Sequence, residues 1–277
     1  MLRLIDVDSL VTSTLMYNAG PRATAAWRVL FEQVFADACV DVRFIEHGFP
    51  QPIDALWREP RLCGAFMCGW PFVRADRAMQ PIAAPVPLPS RYAALPRYCS
   101  EFLVREESGW TSIEQTFGHR VGWMALDSQS GFNAPRALLA TYVSSARGAL
   151  YSESRGPYVT PAKTLAALDG DEVDVIALDG FYLDLVRHYD PQMLAGTRTV
   201  ATTPWTPIPL VVAAPGVDAR LVARLRARLV TIHDVAAYRP LLDDVLLARF
   251  VEPDTRSYAA LEAMADFATE RGYDVIR

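Results

Sequence analysis

Two hydroxyls and a glycine stand together in Asp127-Ser-Gln-Ser-Gly-Phe-Asn133, between an apolar stretch and a helical pattern that carries Pro135 in its first turn. A loop of Ser128, Gln129, Ser130 and Gly131 in that setting aims hydroxyls and backbone N–H groups at one spot. The dipole of the following helix favours an anion there. On spacing alone a second reading stays open: Ser130 or Asn133 caps the helix and Gly131 suits a turn. Asp179 ends the nearly continuous apolar run Val173 to Leu178. In open α/β sheets ligands gather at the carboxyl ends of strands. Asp127, Asp179, Met16-Tyr17 and Cys68-Gly69 all fall at such ends in this reading.

Other chemistries lack their residues. His47, His119, His188 and His233 are far apart and none belongs to an H-E-x-x-H or paired-cysteine motif, so no zinc or other metal site is expected. There is no G-x-S-x-G elbow, no G-x-G-x-x-G and no phosphate-binding loop of the G-x-x-x-x-G-K type. Thr160 and Lys163 have the spacing of a hydroxyl–lysine pair, but Thr160 is better placed to cap a helix. Cys68 has no identifiable histidine partner. Cys39, Cys63, Cys68 and Cys99 are too few and too irregular for a disulfide scaffold, so reduced, partly buried thiols are expected. No cofactor is expected, and a binding protein is favoured over an enzyme.

The elements that must position these residues alternate between strand and helix. A strand from Leu2 to Leu15 ends at an Asn-Gly-Pro turn. The helix after Pro21 then places Trp27, Leu30, Phe31, Val34, Phe35 and Ala38 on one face. Strands are expected at Val40 to Ile45, Ser100 to Val104, Arg120 to Leu126, Val173 to Leu178, Thr197 to Thr203 and Leu210 to Ala214, with an apolar run at Leu62 to Met67. Helices are expected at Ser112 to Phe117, after Asn133, at Pro161 to Leu168, at Phe181 to Tyr189, and beginning near Asp218, Val235 and Ser257. The five prolines of Pro81 to Pro96 exclude a helix interior and favour an extended or edge segment or a crossover; Pro204 to Pro209 reads as a second crossover. The alternation predicts an α/β fold with mostly parallel sheets.

Charge and length narrow the class. The 277 residues carry a formal charge of −5 and are 51% hydrophobic, enough for one large domain or two ordinary ones. Without a basic patch or stripe, no nucleic-acid partner is expected. No apolar run reaches the roughly 18 residues of a spanning helix. Met1 to Asp8 has one basic residue, and Asp6 and Asp8 interrupt its apolar residues, so no export signal is visible. The expected location is cytoplasmic as the sequence stands and periplasmic if the start is trimmed.

Cys68-Gly69-Trp70-Pro71, then Tyr98-Cys-Ser100, then Arg120 to Leu139 with its Ser-x-Ser-Gly and Asn-Ala-Pro-Arg, then Asp174 to Asp179, resemble in order and spacing the phosphate/phosphonate-type solute-binding proteins of ABC transporters, over roughly residues 10 to 230. The resemblance implies a type II periplasmic-binding fold. Two α/β lobes, 1–97 plus 206–277 and 98–205, would trap a small anionic or polar organic ligand by hinge closure, as a monomer working with an ABC transporter membrane component. It also implies that Ser128, Ser130 and Gly131 match the loop holding an anionic group, that Asp179 matches a ligand-facing carboxylate, and that Met16-Tyr17 and Trp70 match two further ligand loops. Gln129 departs from the family's usual Thr, and Ser152 to Thr160 lacks the family's His. An unusual supply of aromatics (Tyr17, Trp70, Trp123, Tyr182, Trp205) would suit a flatter or larger ligand, Trp123 being a core candidate. The candidate ligand contacts are therefore Tyr17, Trp70, Ser128, Gln129, Ser130, Gly131, Asn133, Asp179, Tyr182 and Trp205. The rival expectation is a cytoplasmic enzyme resembling those of the futalosine route to menaquinone, or a cytoplasmic ligand sensor.

Overall fold

The computed structural model describes residues 9–45, 53–144 and 148–277. The first part of the expected amino-terminal strand, the stretch Met1 to Asp8 read for an export signal, and His47 lie outside the described residues. In chain order the strands are β1 (Leu10–Ser13), β2 (Val42–Phe44), β3 (Leu62–Met67), β4 (Gln80–Pro87), β5 (Arg97–Tyr98), β6 (Ser100–Arg105), β7 (Arg120–Gly122), β8 (Glu153–Arg155), β9 (Val175–Asp179), β10 (Thr197–Thr202), β11 (Thr206–Pro207), β12 (Leu210–Ala213) and β13 (Leu247–Val251). The helices are α1 (Pro21–Asp37), α2 (Ile53–Trp57), α3 (Gly69–Arg74), α4 (Ala134–Ala140), α5 (Pro161–Asp169), α6 (Gly180–Tyr189), α7 (Ala219–Leu229), α8 (Arg239–Asp244) and α9 (Ala259–Glu270).

The chain forms two compact units. One holds residues 1–67, 75–96 and 208–254, the other 68–74, 97–207 and 255–277. The expectation had placed all of 206–277 in the first unit. Residues 255–277 instead pack on the second, because α9 lies against α3 and α4 and buries Leu261, Ala265 and Ala268.

In the first unit a six-stranded sheet runs β13-β4-β12-β3-β1-β2. Only the β1 pairings are parallel; β3, β12, β4 and β13 pair antiparallel. This sheet is mixed rather than mostly parallel. The proline-rich β4 is an interior strand, not an edge or crossover. Its ladders carry register shifts beside Pro81 and Pro87, the irregular places in a sheet that a proline without an N–H can occupy. The α1 helix starts at Pro21, whose lost N–H is one the first turn leaves unused. Its buried face sets Trp27 and Phe31 against Phe66 of β3, with Phe35 edge-on to Phe31. Gly64 of β3 has φ +83°, and a Cβ there would sit 2.5 Å from Phe35 Cζ, so helix and sheet approach over a bare backbone.

In the second unit the sheet order is β10-β6-β9-β7-β8. The pairs β10·β6 and β6·β9 are antiparallel, β9·β7 and β7·β8 parallel. The strand expected to reach Leu126 stops at Gly122. From Trp123 the backbone turns to bond residues 155, 158 and 159. Val121, Val175 and Ala177 join Phe132, Leu139 and Tyr273 in one core, while Ile176 and Leu178 face Leu165, Leu168 and Leu183 in another. β9 is thus covered on both faces, as its unbroken apolar run requires. Its entry is fixed by Asp174, whose Oδ2 accepts the Arg120 N–H at 2.9 Å and Nε at 2.8 Å, and whose Oδ1 accepts from Arg105 at 2.9 Å.

Candidate functional site

At the carboxyl ends of β7 and β9, the second unit gathers hydroxyl, carboxylate and backbone donors. Ser128 Oγ accepts the Gly131 N–H at 2.9 Å, and the Ser128 carbonyl accepts the Asn133 N–H at 2.9 Å. That five-residue closure makes Gln129–Asn133 a single π-helical turn running directly into α4. Turns of this kind are often found at functional sites. Gly131 is required by a close approach: its carbonyl accepts the Met124 N–H, and a Cβ would lie 2.6 Å from Met124 Cβ.

The side chains of this turn divide. Ser130 faces the ring end of Tyr98, whose hydroxyl is near enough to feel it but meets no partner in good hydrogen-bond geometry. Gln129 and Asn133, both expected at the ligand, are fully buried and turned toward α9. Asn133 Nδ2 donates to Gln129 Oε1 at 2.9 Å and to the Leu261 carbonyl at 3.0 Å; Gln129 Nε2 reaches Met264 Sδ at 3.6 Å. What Gln129 turns toward Cys68 is its backbone N–H, which works against the rise of that thiol.

Asp179 closes β9 and opens α6. Its Oδ1 accepts the N–H groups of Phe181 at 2.7 Å and Tyr182 at 3.0 Å. Ser100 of β6 is the direct partner of Asp179 of β9, so both side chains leave the same face of the sheet. The Ser100 hydroxyl is buried and has no partner among the described residues. Burial pushes the Tyr182 hydroxyl up to about 12, and the Asp179 charge adds to it. Burial also pushes the Cys68 thiol up to about 12, opposed by the Gln129 N–H and reinforced by Asp179 and then Asp127. A thiol held that high is a packing group, since the nucleophile is the thiolate.

The remaining predicted aromatics are dispersed. Trp70, in α3 of the second unit, is nearly buried under the Arg74 guanidinium, 4.7 Å from its ring centroid. Trp205 is 40% exposed, with Arg97 stacked at 4.6 Å. Trp123 packs edge-on to Phe132 at 5.5 Å. Tyr17 belongs to the first unit, where it is fully buried, stacked on Trp27 at 5.9 Å and edge-on to Phe66 at 4.9 Å. The structure therefore brings Ser128, Ser130, Gly131, Asp179 and Tyr182 together and leaves Tyr17 in the core of the other unit. It adds Cys68, which the sequence places at a strand end, and Tyr98 and Ser100, none of them among the expected ligand contacts. The pairing of Ser100 with Asp179 was the available signal, hidden until the strand order was known. Among the described residues no group of His, Cys, Asp and Glu is arranged to hold a metal, and no helix is long and apolar enough to cross a membrane.

The family model for ABC transporter, phosphonate, periplasmic substrate-binding protein matches residues 64–258. No curated protein matches the chain. Among solved structures, a binding-protein component of an ABC phosphonate transporter from Pseudomonas aeruginosa is 15% identical, covering 96% of this chain and 88% of that one with a TM-score of 0.78. PhnD1 from Prochlorococcus marinus, in complex with methylphosphonate, is 16% identical over 94% of this chain and 98% of its own, with a TM-score of 0.76. A Xanthomonas citri protein bound to ATP is 18% identical over 97% and 99%, with a TM-score of 0.65.

Proposed function

The chain belongs to the periplasmic substrate-binding proteins of phosphonate-type ABC transporters, and we propose that its second unit seats the acid group of a small organic anion on the Ser128–Gly131 turn. Its role is that of a solute-binding protein, in a family that takes up small ligands together with ABC transporter components. The reading rests on one observation above the rest. The unmet hydroxyls of Tyr98 and Ser100 are buried beside Ser130 and Asp179. A buried hydroxyl left without a partner costs on the order of 1–3 kcal/mol, and a ligand oxygen bound there would satisfy it. Two bare anions would repel, so Asp179 accepts from a ligand amine, hydroxyl or protonated acid group. In this reading the acid group is held by oriented N–H and hydroxyl dipoles of the turn and its neighbours. The methylphosphonate bound by the Prochlorococcus protein makes phosphonates the first class to try. In this reading the protein works as a periplasmic monomer, without a cofactor.

A thermal-shift screen of phosphonates, inorganic phosphate, sulfate and carboxylates on wild type and Ser130→Ala tests the assignment. Wild type is expected to be stabilised by at least one anion and Ser130→Ala by markedly less. Equal responses of both proteins to every hit would remove the turn from the site.

A further inference from the structure

Arg136 lies in α4, three residues beyond Asn133, and is 7% exposed. A guanidinium this deep ordinarily has a carboxylate beside it, because burying an unpaired charge is costly. Here, among the described residues, it has none within ion-pair distance. One terminal nitrogen donates to the Asp274 carbonyl at 2.9 Å; the other donates to the Ala265 carbonyl at 3.3 Å and to Asn133 Oδ1 at 3.4 Å. Its Nε meets no acceptor. The nearest charges do not cancel it: Asp274 is exposed and so screened, and Arg74 is of like sign. Burial pulls the Arg136 guanidinium below its ordinary value, yet an arginine remains charged in a protein. A positive charge without a carboxylate partner is therefore stored beside the turn, held by two main-chain carbonyls, the Asn133 side-chain oxygen and the face of the Phe132 ring, 5.6 Å from its centroid.

We propose that Arg136 is a positioning residue for the anion-holding turn: it fixes Asn133 from behind, and its uncompensated charge favours a doubly charged acid group over a singly charged one. This deepens the proposed function and rests on it. Asn133 is the link, since its amide takes Arg136 on its oxygen while its nitrogen bonds Gln129, the first residue of the turn. The tail from Leu261 to Asp274 belongs to the same device, because its carbonyls anchor both Asn133 and Arg136. The charge acts through a poorly solvated interior, where screening by salt is weak.

Titration calorimetry of the full chain with inorganic phosphate and with methylphosphonate tests this on Arg136→Gln and Arg136→Lys. Arg136→Gln is expected to weaken phosphate binding about tenfold, on the order of 1.4 kcal/mol. Arg136→Lys keeps the charge while losing the fork, so its affinity stays close to wild type although its melting temperature falls. The gap between wild type and Arg136→Gln widens as pH rises and phosphate loses its second proton, a trend that a merely structural role would not produce. Phosphate affinity unchanged in Arg136→Gln, or lost in Arg136→Lys as fully as in Arg136→Gln, overturns the proposal. If Arg136→Gln does not fold, the lysine variant decides alone by whether it keeps wild-type affinity. Should wild type bind neither probe, the anion reading fails first, and the role of Arg136 with it.

Discussion

Asp179 Oδ1 accepts the N–H groups of Phe181 and Tyr182, which makes it the cap of α6 as well as the carboxylate nearest the proposed ligand. Substitution separates the two roles. Asp179→Asn keeps an oxygen for the cap and removes the charge, whereas Asp179→Ala removes both. Loss of an Asp cap costs about 0.5–2 kcal/mol, so Asp179→Ala is expected to lower the urea midpoint and Asp179→Asn to leave it nearly unchanged. Both are expected to weaken ligand binding in the thermal-shift assay. If only Asp179→Ala does so, Asp179 serves the helix and not the ligand. Ser128 divides in a similar way, since its oxygen already holds the Gly131 N–H, while Ser130 faces Tyr98 and is the cleaner probe of binding.

The elements that position these groups were legible wherever one periodicity ran uninterrupted. α1, α6 and β9 follow directly from apolar spacing and from Pro21 and Asp179 at their boundaries. β13 was not legible, because Leu247–Val251 is short and carries Arg249 inside an otherwise apolar run. For β4 the prolines predict an extended or edge segment or a crossover; the segment is extended but interior, and shifted registers let it pair on both sides. Within the site, residue types suggested contact for Gln129 and Asn133, and only the packing of α9 turns them away, a long-range fact absent from local spacing. Gly64 permits a similar test at this scale. Gly64→Ala forces a Cβ onto Phe35 and strains a φ of +83°, so a loss on the order of 1–3 kcal/mol is expected from urea unfolding. Adding Phe35→Leu would relieve the clash but not the strained backbone. The double mutant is therefore expected to recover part of the loss, giving a coupling that a double-mutant cycle measures.

For the molecule as a whole, the formal charge of −5 is compatible with the proposed holding of an anion by fixed dipoles and one buried arginine. Titration then bounds its stability from both sides. Bonds from the Arg120 side chain, followed by its backbone N–H and Arg105, hold the Asp174 carboxyl well below the usual carboxylate range, against the opposing effect of burial. A lowered folded value means that the unfolded chain takes up the proton first. This stabilisation is complete above an ordinary aspartate value of about 3.9 and is lost as pH falls below it toward the folded value. Buried Cys68 and Tyr182, both pushed up to about 12, act in the opposite sense. Their contribution is complete below the unfolded values, about 8.5 for a thiol and about 10 for a tyrosine, and fades as pH rises through that range. Asp174→Asn is therefore expected to lower the urea midpoint at neutral pH, since Arg120 and Arg105 lose the carboxylate charge they share and one of its two acceptor oxygens. It should also flatten the decline of that midpoint between about pH 5 and pH 3, while leaving the alkaline limb as in wild type. An acid limb just as steep in Asp174→Asn would show that other carboxylates carry the acid sensitivity and that the Arg105–Arg120–Asp174 cluster is not its source.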